Sequence, residues 1–94
     1  MAINKLKNMK WAVIIKSKEN LPNTVGDFIT ELVSEEARKT ISSYYFILHD
    51  VLENKKSIEI IIEGTKEALK NLLSVIKDNL FYKFISFSYK KIES

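Results

Sequence analysis

The sequence of 94 residues contains no cysteine, one histidine, two glycines and one proline. Without cysteine there is no disulfide, no thiolate metal site and no cysteine nucleophile, and a single histidine excludes a site built from two or three histidines of one chain. Two glycines also argue against a glycine-rich loop that cradles phosphate. We therefore expect no catalytic residue, no cofactor and no metal ligand in this chain.

Arginine is nearly absent as well, since 14 of the 15 basic residues are lysine and the remaining one is Arg38. The net charge is +3, and the hydrophobic and charged fractions of 46% and 29% are those of an ordinary folded domain. No segment reaches the roughly 18 apolar residues that a membrane span needs. We expect one cytoplasmic domain over residues 1–94, with no membrane partner and with residues 1–9 flexible or at a sheet edge.

The first half of the chain predicts a strand followed by a helix. Residues 10–16 form a short apolar run rich in β-branched side chains. Apolar residues then recur at helical spacing from Val25 to Val33, which predicts a helix over about residues 24–39. Thr24 and Asp27 resemble a capping box at its start.

The second half predicts a hairpin, a second helix and a final segment. A strand from Tyr44 to Leu52 leads through the polar residues 53–56 into a strand in which Ile58, Ile60 and Ile62 face one way and Glu59, Ile61 and Glu63 the other. Thr65 is the predicted N-cap of a helix that ends near Asn79. Residues 81–92 alternate with period two, which favours a strand, although helical spacing of Leu80, Phe84 and Phe87 leaves a helix extension open.

The resulting order β-α-β-β-α-β predicts an α+β, ferredoxin-like fold, with a four-stranded antiparallel sheet and both helices on one face. The other face should be polar, yet the strands offer large apolar groups on both sides, with Tyr44, Phe46 and Leu48 opposing Tyr45, Ile47 and Val51 in the second strand. A monomer seldom exposes such a patch, so we expect a homodimer or a heteromeric protein complex. The predicted interface residues are Trp11, Ile14, Tyr45, Ile47, Ile61 and Phe84.

The lysines suggest a second kind of partner. Lysine contacts phosphate backbones without reading bases, and the third strand lacks the aromatic side chains with which sheets of this topology stack RNA bases. Antiparallel strands can bring several lysines to one end of the sheet. The predicted RNA-backbone contacts are Lys5, Lys7, Lys10, Lys16, Lys18, Lys55, Lys56, Lys90 and Lys91. His49, beside Asp50, is interpreted as a surface or interface residue.

Residues 57–64 followed by 65–73 resemble the second half of an acylphosphatase, which has a similar strand, a Glu-Gly pair and a helix with Glu-Ala-Leu. The resemblance implies an acyl phosphate hydrolase that uses an arginine and backbone amides in the loop after the first strand. Residues 17–26 occupy that loop and contain no arginine, and Arg38 lies about one helix away.

A second resemblance spans more of the chain. Leu32-Val33-Ser34-Glu35-Glu36, the hairpin over residues 44–62 and the helix beginning with Ala68-Leu69 are similar to the small dimerising subunit of the KEOPS tRNA-modifying complex. The family often has Asn-Ser-Tyr-Leu-Arg where this chain has residues 70–74, Lys-Asn-Leu-Leu-Ser. This resemblance implies a non-catalytic accessory subunit that dimerises and is associated with tRNA. A hydrolase, or a small regulatory or viral domain of the same fold, are the alternatives.

Overall fold

The computed structural model describes residues 9–39, 44–79 and 86–92. The elements are β1 (Met9–Lys16), α1 (Asn23–Arg38), β2 (Phe46–Glu53), β3 (Ser57–Gly64), α2 (Lys66–Asn79) and β4 (Ser86–Ile92). All strand pairs are antiparallel and form one sheet in the order β2-β3-β1-β4. The predicted ferredoxin-like α+β fold is confirmed. The final segment is a strand over residues 86–92, whereas the predicted residues 81–85 lie outside the described part of the chain.

The core lies between the sheet and the two helices. Alternate residues of β1 and β3 point toward the helices, because neighbouring side chains of a strand point to opposite faces. The alternation predicted for β3 is confirmed, since Ile58, Ile60 and Ile62 are all at most 1% exposed. The other buried apolar residues of this cluster are Trp11, Val13, Ile15, Ile29, Val33, Phe46, Ala68, Leu69, Leu72 and Ile76. Burial of each large aliphatic side chain contributes about 1.5–3 kcal/mol.

Trp11 is the largest side chain in this cluster and is only 5% exposed. Its Nε1 donates a hydrogen bond of 3.0 Å to the carbonyl oxygen of Gly64. Gly64 is packed closely against β2, because a Cβ atom placed there would lie 3.0 Å from the Cβ of Phe46 and 3.3 Å from the carbonyl oxygen of Tyr45. The ring of Trp11 also contacts that of Tyr89 edge to face, with centroids 5.8 Å apart. Trp11 thus links β1, β3 and β4.

The helix starts differ from each other. Thr65 caps α2 as predicted, because its Oγ1 accepts a hydrogen bond of 3.1 Å from the amide of Ala68. The predicted capping box of α1 is wrong: the helix begins at Asn23 and its N-cap is Pro22. Pro22 has a φ of −67° and an extended ψ of 151°, so the helix starts directly after it and Thr24 lies inside the first turn.

A β-bulge interrupts β2 at His49. Leu48 pairs with Ile62, and the next paired residue is Asp50, opposite Ile61. One extra residue in a strand shifts the alternation of every residue that follows it. Val51 consequently packs against the core, although regular alternation predicted that it would share a face with Ile47. That prediction is wrong because the bulge shifts the alternation by one residue. The bulge could not be foreseen, since no glycine or other local sequence signal marks it.

Candidate functional site on the open sheet face

The face of the sheet opposite the helices is here called the open face. Strand register places its residues in rows that run from β2 through β3 and β1 to β4. The first row is Ile47, Glu63, Lys10 and Ile92, the second is Asp50, Ile61, Ala12 and Lys90, and the third is Leu52, Glu59, Ile14 and Ser88. Alternation in β1 and β3, together with the bulge in β2, therefore determines which side chains this surface presents.

Five large aliphatic side chains of the open face are at least partly accessible to solvent: Ile14, Ile47, Leu52, Ile61 and Ile92. Ile47 and Leu52 on β2 are 40% and 43% exposed. Ile14 and Ile61, on the two central strands, are half-buried by their neighbours. The structure thus brings together three of the predicted interface residues, Ile14, Ile47 and Ile61. Leu52 was missed, because without the bulge regular alternation would have placed it on the other face.

The structure places another predicted interface residue, Trp11, away from the open face. Trp11 belongs to the core and not to the open face, because it has the same orientation as Val13 and Ile15 on β1. Both faces of β1 are apolar, so the sequence alone could not tell which one the helices cover. Tyr45 directly precedes β2 and is 44% exposed. Phe84 lies outside the described residues.

Charge is divided across the open face. Its acidic residues, Asp50, Glu59 and Glu63, are on β2 and β3, and its lysines, Lys10, Lys16 and Lys90, are on β1 and β4. One half of the face is therefore acidic and the other half basic. His49 also lies on this side of the sheet, as alternation from Ile47 requires, and its Nε2 lies 2.9 Å from Oε1 of Glu63, with the two side chains 36% and 33% exposed.

Four of the predicted RNA-contacting lysines lie at the end of the sheet where the β2–β3 hairpin turns. This hairpin-end cluster consists of Lys16, Lys18, Lys55 and Lys56. Two backbone hydrogen bonds hold the β1–α1 loop against the hairpin: Ser17 N–H donates to the carbonyl of Lys56 at 2.8 Å, and Leu21 N–H to that of Lys55 at 2.7 Å.

Three further predicted lysines, Lys10, Lys90 and Lys91, are not part of this cluster. Lys10 lies at the opposite end of the sheet, and Lys90 and Lys91 are nearer to that end. Lys5 and Lys7 lie outside the described residues. The structure therefore brings together only some of the lysines that the sequence suggested.

A groove of about 450 Å³ lies beside the start of α1 at the same end of the molecule. Asn20, Asn23 and Lys55 contribute to its lining. The carboxylate of Glu53 lies directly over Gly26, where an added Cβ would be 2.5 Å from the carboxyl carbon. The first turn of α1 has no acidic residue of its own, so β2 supplies a negative charge near the positive end of the helix dipole.

Within the described ranges, no group of three His, Asp or Glu side chains is arranged to hold a metal ion. Neither of the two described helices combines the length and the apolar stretch that crossing a membrane requires. Comparison with protein-family models, curated proteins and solved structures finds no match. The chemistry of the open face and of the hairpin-end cluster is therefore the basis for assigning a function.

Proposed function

We propose that this protein is a non-catalytic interaction module or accessory subunit that binds another protein through the open face. The observation that carries this proposal is the exposure of Ile47 and Leu52, 40% and 43%, beside half-buried Ile14 and Ile61. The solvated face of an antiparallel sheet is ordinarily polar, and contiguous apolar surface marks interaction sites.

The two sheet edges are less suited to binding a partner than the face. The edge strand β2 is interrupted by the bulge at His49, and the edge strand β4 carries Lys90 and Lys91. Bulges and lysines are devices that prevent an exposed edge from pairing with a foreign strand. A partner is therefore expected to lie flat on the sheet.

The groove beside α1 does not favour the acylphosphatase alternative. Hydrolysis of an acyl phosphate needs positively charged and amide donors that converge on the phosphate. Here the Glu53 carboxylate lies against Gly26 in the first turn of α1, the place where a helix start would attract an anion. Its negative charge repels a phosphate, which supports a binding role over this hydrolytic one.

The proposal is tested with the full chain as bait against a lysate of the organism of origin and against itself. Ile47→Asp replaces an exposed apolar side chain of the open face by a charge, and we expect it to release the proteins that the parent chain retains. Ser74→Asp is the matched control, because Ser74 is an exposed residue of α2, on the opposite side of the molecule. Circular dichroism verifies that both variants are folded. Binding that is the same in parent, variant and control contradicts the proposal.

The hairpin-end cluster supports a second candidate function, contact with the phosphate backbone of RNA. Four lysines at the end of β1, in the β1–α1 loop and in the β2–β3 turn provide positive charge without base recognition. The similarity to the KEOPS subunit makes tRNA the RNA class that we propose. Replacing Lys16, Lys55 and Lys56 by glutamine should weaken tRNA binding in fluorescence anisotropy and reduce its salt dependence. Affinity that does not change between low and high salt contradicts this candidate.

A further inference from the structure

We propose that the partner of the open face is a second copy of the same chain, bound face to face about a two-fold axis that runs parallel to the strands between β3 and β1. This inference rests on the proposed function, because it names the occupant of the open face. It is derived from the division of that face into an acidic half on β2 and β3 and a basic half on β1 and β4.

A two-fold axis in this direction exchanges the two halves, so that β2 of one copy lies over β4 of the other and β3 over β1. In the first row Glu63 then faces Lys10 of the other copy, and Ile47 faces Ile92. In the second row Asp50 faces Lys90, while the bulky Ile61 lies over the small Ala12. Every position of these two rows therefore meets a group of opposite charge or an apolar group, which is electrostatic complementarity. In the third row Leu52 lies over Ser88 and Glu59 over Ile14, so no like charges meet there either.

The other arrangement that keeps the strands of the two copies aligned has its two-fold axis in the plane of the interface and perpendicular to the strands, and its charge pairing is unfavourable. It would place β2 over β2, so that Asp50 meets Asp50 and Lys90 meets Lys90. The first and third rows would be superposed, which brings Glu63 close to Glu59 of the other copy. Opposed like charges penalise an interface, so the charge pattern selects the parallel axis.

The size of the face indicates a weak dimer. Four strands about 4.8 Å apart, three of eight residues and one of seven, at about 3.3 Å per residue, give a face of roughly 20 by 25 Å per copy. The two copies together bury about 1,000 Å², which is at the low end for specific association. We expect the dimer to form at micromolar or higher concentration, as a reversible equilibrium.

The test is sedimentation velocity on the purified full chain over a wide concentration range. Lys90→Glu places a carboxylate opposite Asp50 of the other copy, and symmetry repeats this repulsive contact. The substitution should weaken self-association at least about 10-fold. Lys91→Glu is the matched control, since it makes the same charge change at the next residue of β4, which points to the other face. We expect Lys91→Glu to associate like the parent chain.

Complementation tests the pairing directly. Asp50→Lys alone should also weaken association, because it places the new lysine opposite Lys90 of the other copy. A mixture of Asp50→Lys and Lys90→Glu restores opposite charges at both symmetric contacts, so the heterodimer should form within a few-fold of the parent affinity. Within one copy Asp50 and Lys90 are separated by Ile61 and Ala12, so the rescue cannot come from an intramolecular ion pair.

Two results would overturn the inference. One is a parent chain that stays monomeric at high concentration, and the other is an equal loss of association in Lys90→Glu and Lys91→Glu, which would indicate an effect of net charge alone. Failure of the proposed function is distinguishable from these. A monomeric chain that still binds a different protein in an Ile47-dependent way refutes self-association and leaves the open face a binding surface.

Discussion

Ile60 and Ile61 are neighbours of the same residue type on the same strand, and they have different surroundings. Ile60 is fully buried under the helices, whereas Ile61 is half-buried on the open face. The helix side of the sheet consists of packed aliphatic side chains. The open side consists of apolar side chains interspersed with charges, which are acidic on β2 and β3 and basic on β1 and β4. The same residue type thus contributes to the core on one face of the sheet and to accessible apolar surface on the other.

Truncation of these two isoleucines should show the largest contrast. We expect Ile60→Ala to lower the free energy of unfolding by about 2–5 kcal/mol, because it removes buried methyl groups and leaves a cavity. Ile61→Ala should lower it by about 1 kcal/mol or less, because this side chain is already partly hydrated. Urea titrations at low protein concentration measure both values free of self-association, and equal losses would mean that the open face is covered within the monomer.

Trp11→Phe removes a polar contact from the helix side alone. The carbonyl oxygen of Gly64 loses its 3.0 Å hydrogen bond from the indole and the side chain loses volume, so we expect a destabilisation of about 1–3 kcal/mol. The same denaturant titrations measure it. The dissociation constant of the proposed dimer should be unchanged for the folded variant, because Trp11 does not lie on the open face. A weakened dimer would contradict this assignment of Trp11 to the helix side alone.

The two glycines differ in what surrounds them. Gly64→Ala forces a methyl group against the backbone and Cβ of Phe46, and we expect it to cost about 1–3 kcal/mol through overpacking. Gly26→Ala meets only the end of the flexible Glu53 side chain, which can move, and it replaces glycine inside a helix. We expect it to stabilise the protein by up to about 1 kcal/mol. Thermal unfolding of the two variants gives the comparison, and equal effects would contradict it.

The smallest effect is expected on the open face itself. His49→Ala removes the contact with Glu63. Both side chains of this pair are about one third exposed, so the free energy of unfolding should change by no more than about 0.5 kcal/mol. A loss of several kcal/mol would show that the bulge depends on the imidazole. Chemical denaturation at neutral pH is sufficient to separate these outcomes.

The sequence predicted the order of the elements and the fold, because the periodicity of β3 and of both helices is strong and each element has a recognisable boundary. The N-cap of α2 was predictable since Thr65 precedes its helix directly. The N-cap of α1 was not, because two neighbouring signals, Pro22 and Thr24, compete for one helix start. The side on which Trp11 lies was undetermined because β1 is apolar on both faces.

The composition of the open face was predictable only up to Leu48. Beyond it, the bulge moves Val51 to the core and Leu52 to the surface, and no glycine or proline marks the change. The separation of acidic and basic residues across the face could not be recognised in the sequence either. It depends on strand order, which brings β1 between β3 and β4, and on a register that only the folded sheet defines.

The bulge at His49 has a consequence for changes in chain length. Deletion of His49 would leave Leu48 opposite Ile62 and Asp50 opposite Ile61, which is the pairing of an uninterrupted ladder. A one-residue deletion at this point therefore keeps every other β2 side chain on its present face, whereas a deletion in β3 would invert the residues beyond it. Related chains that lack this residue would require a single gap here when the sequences are aligned.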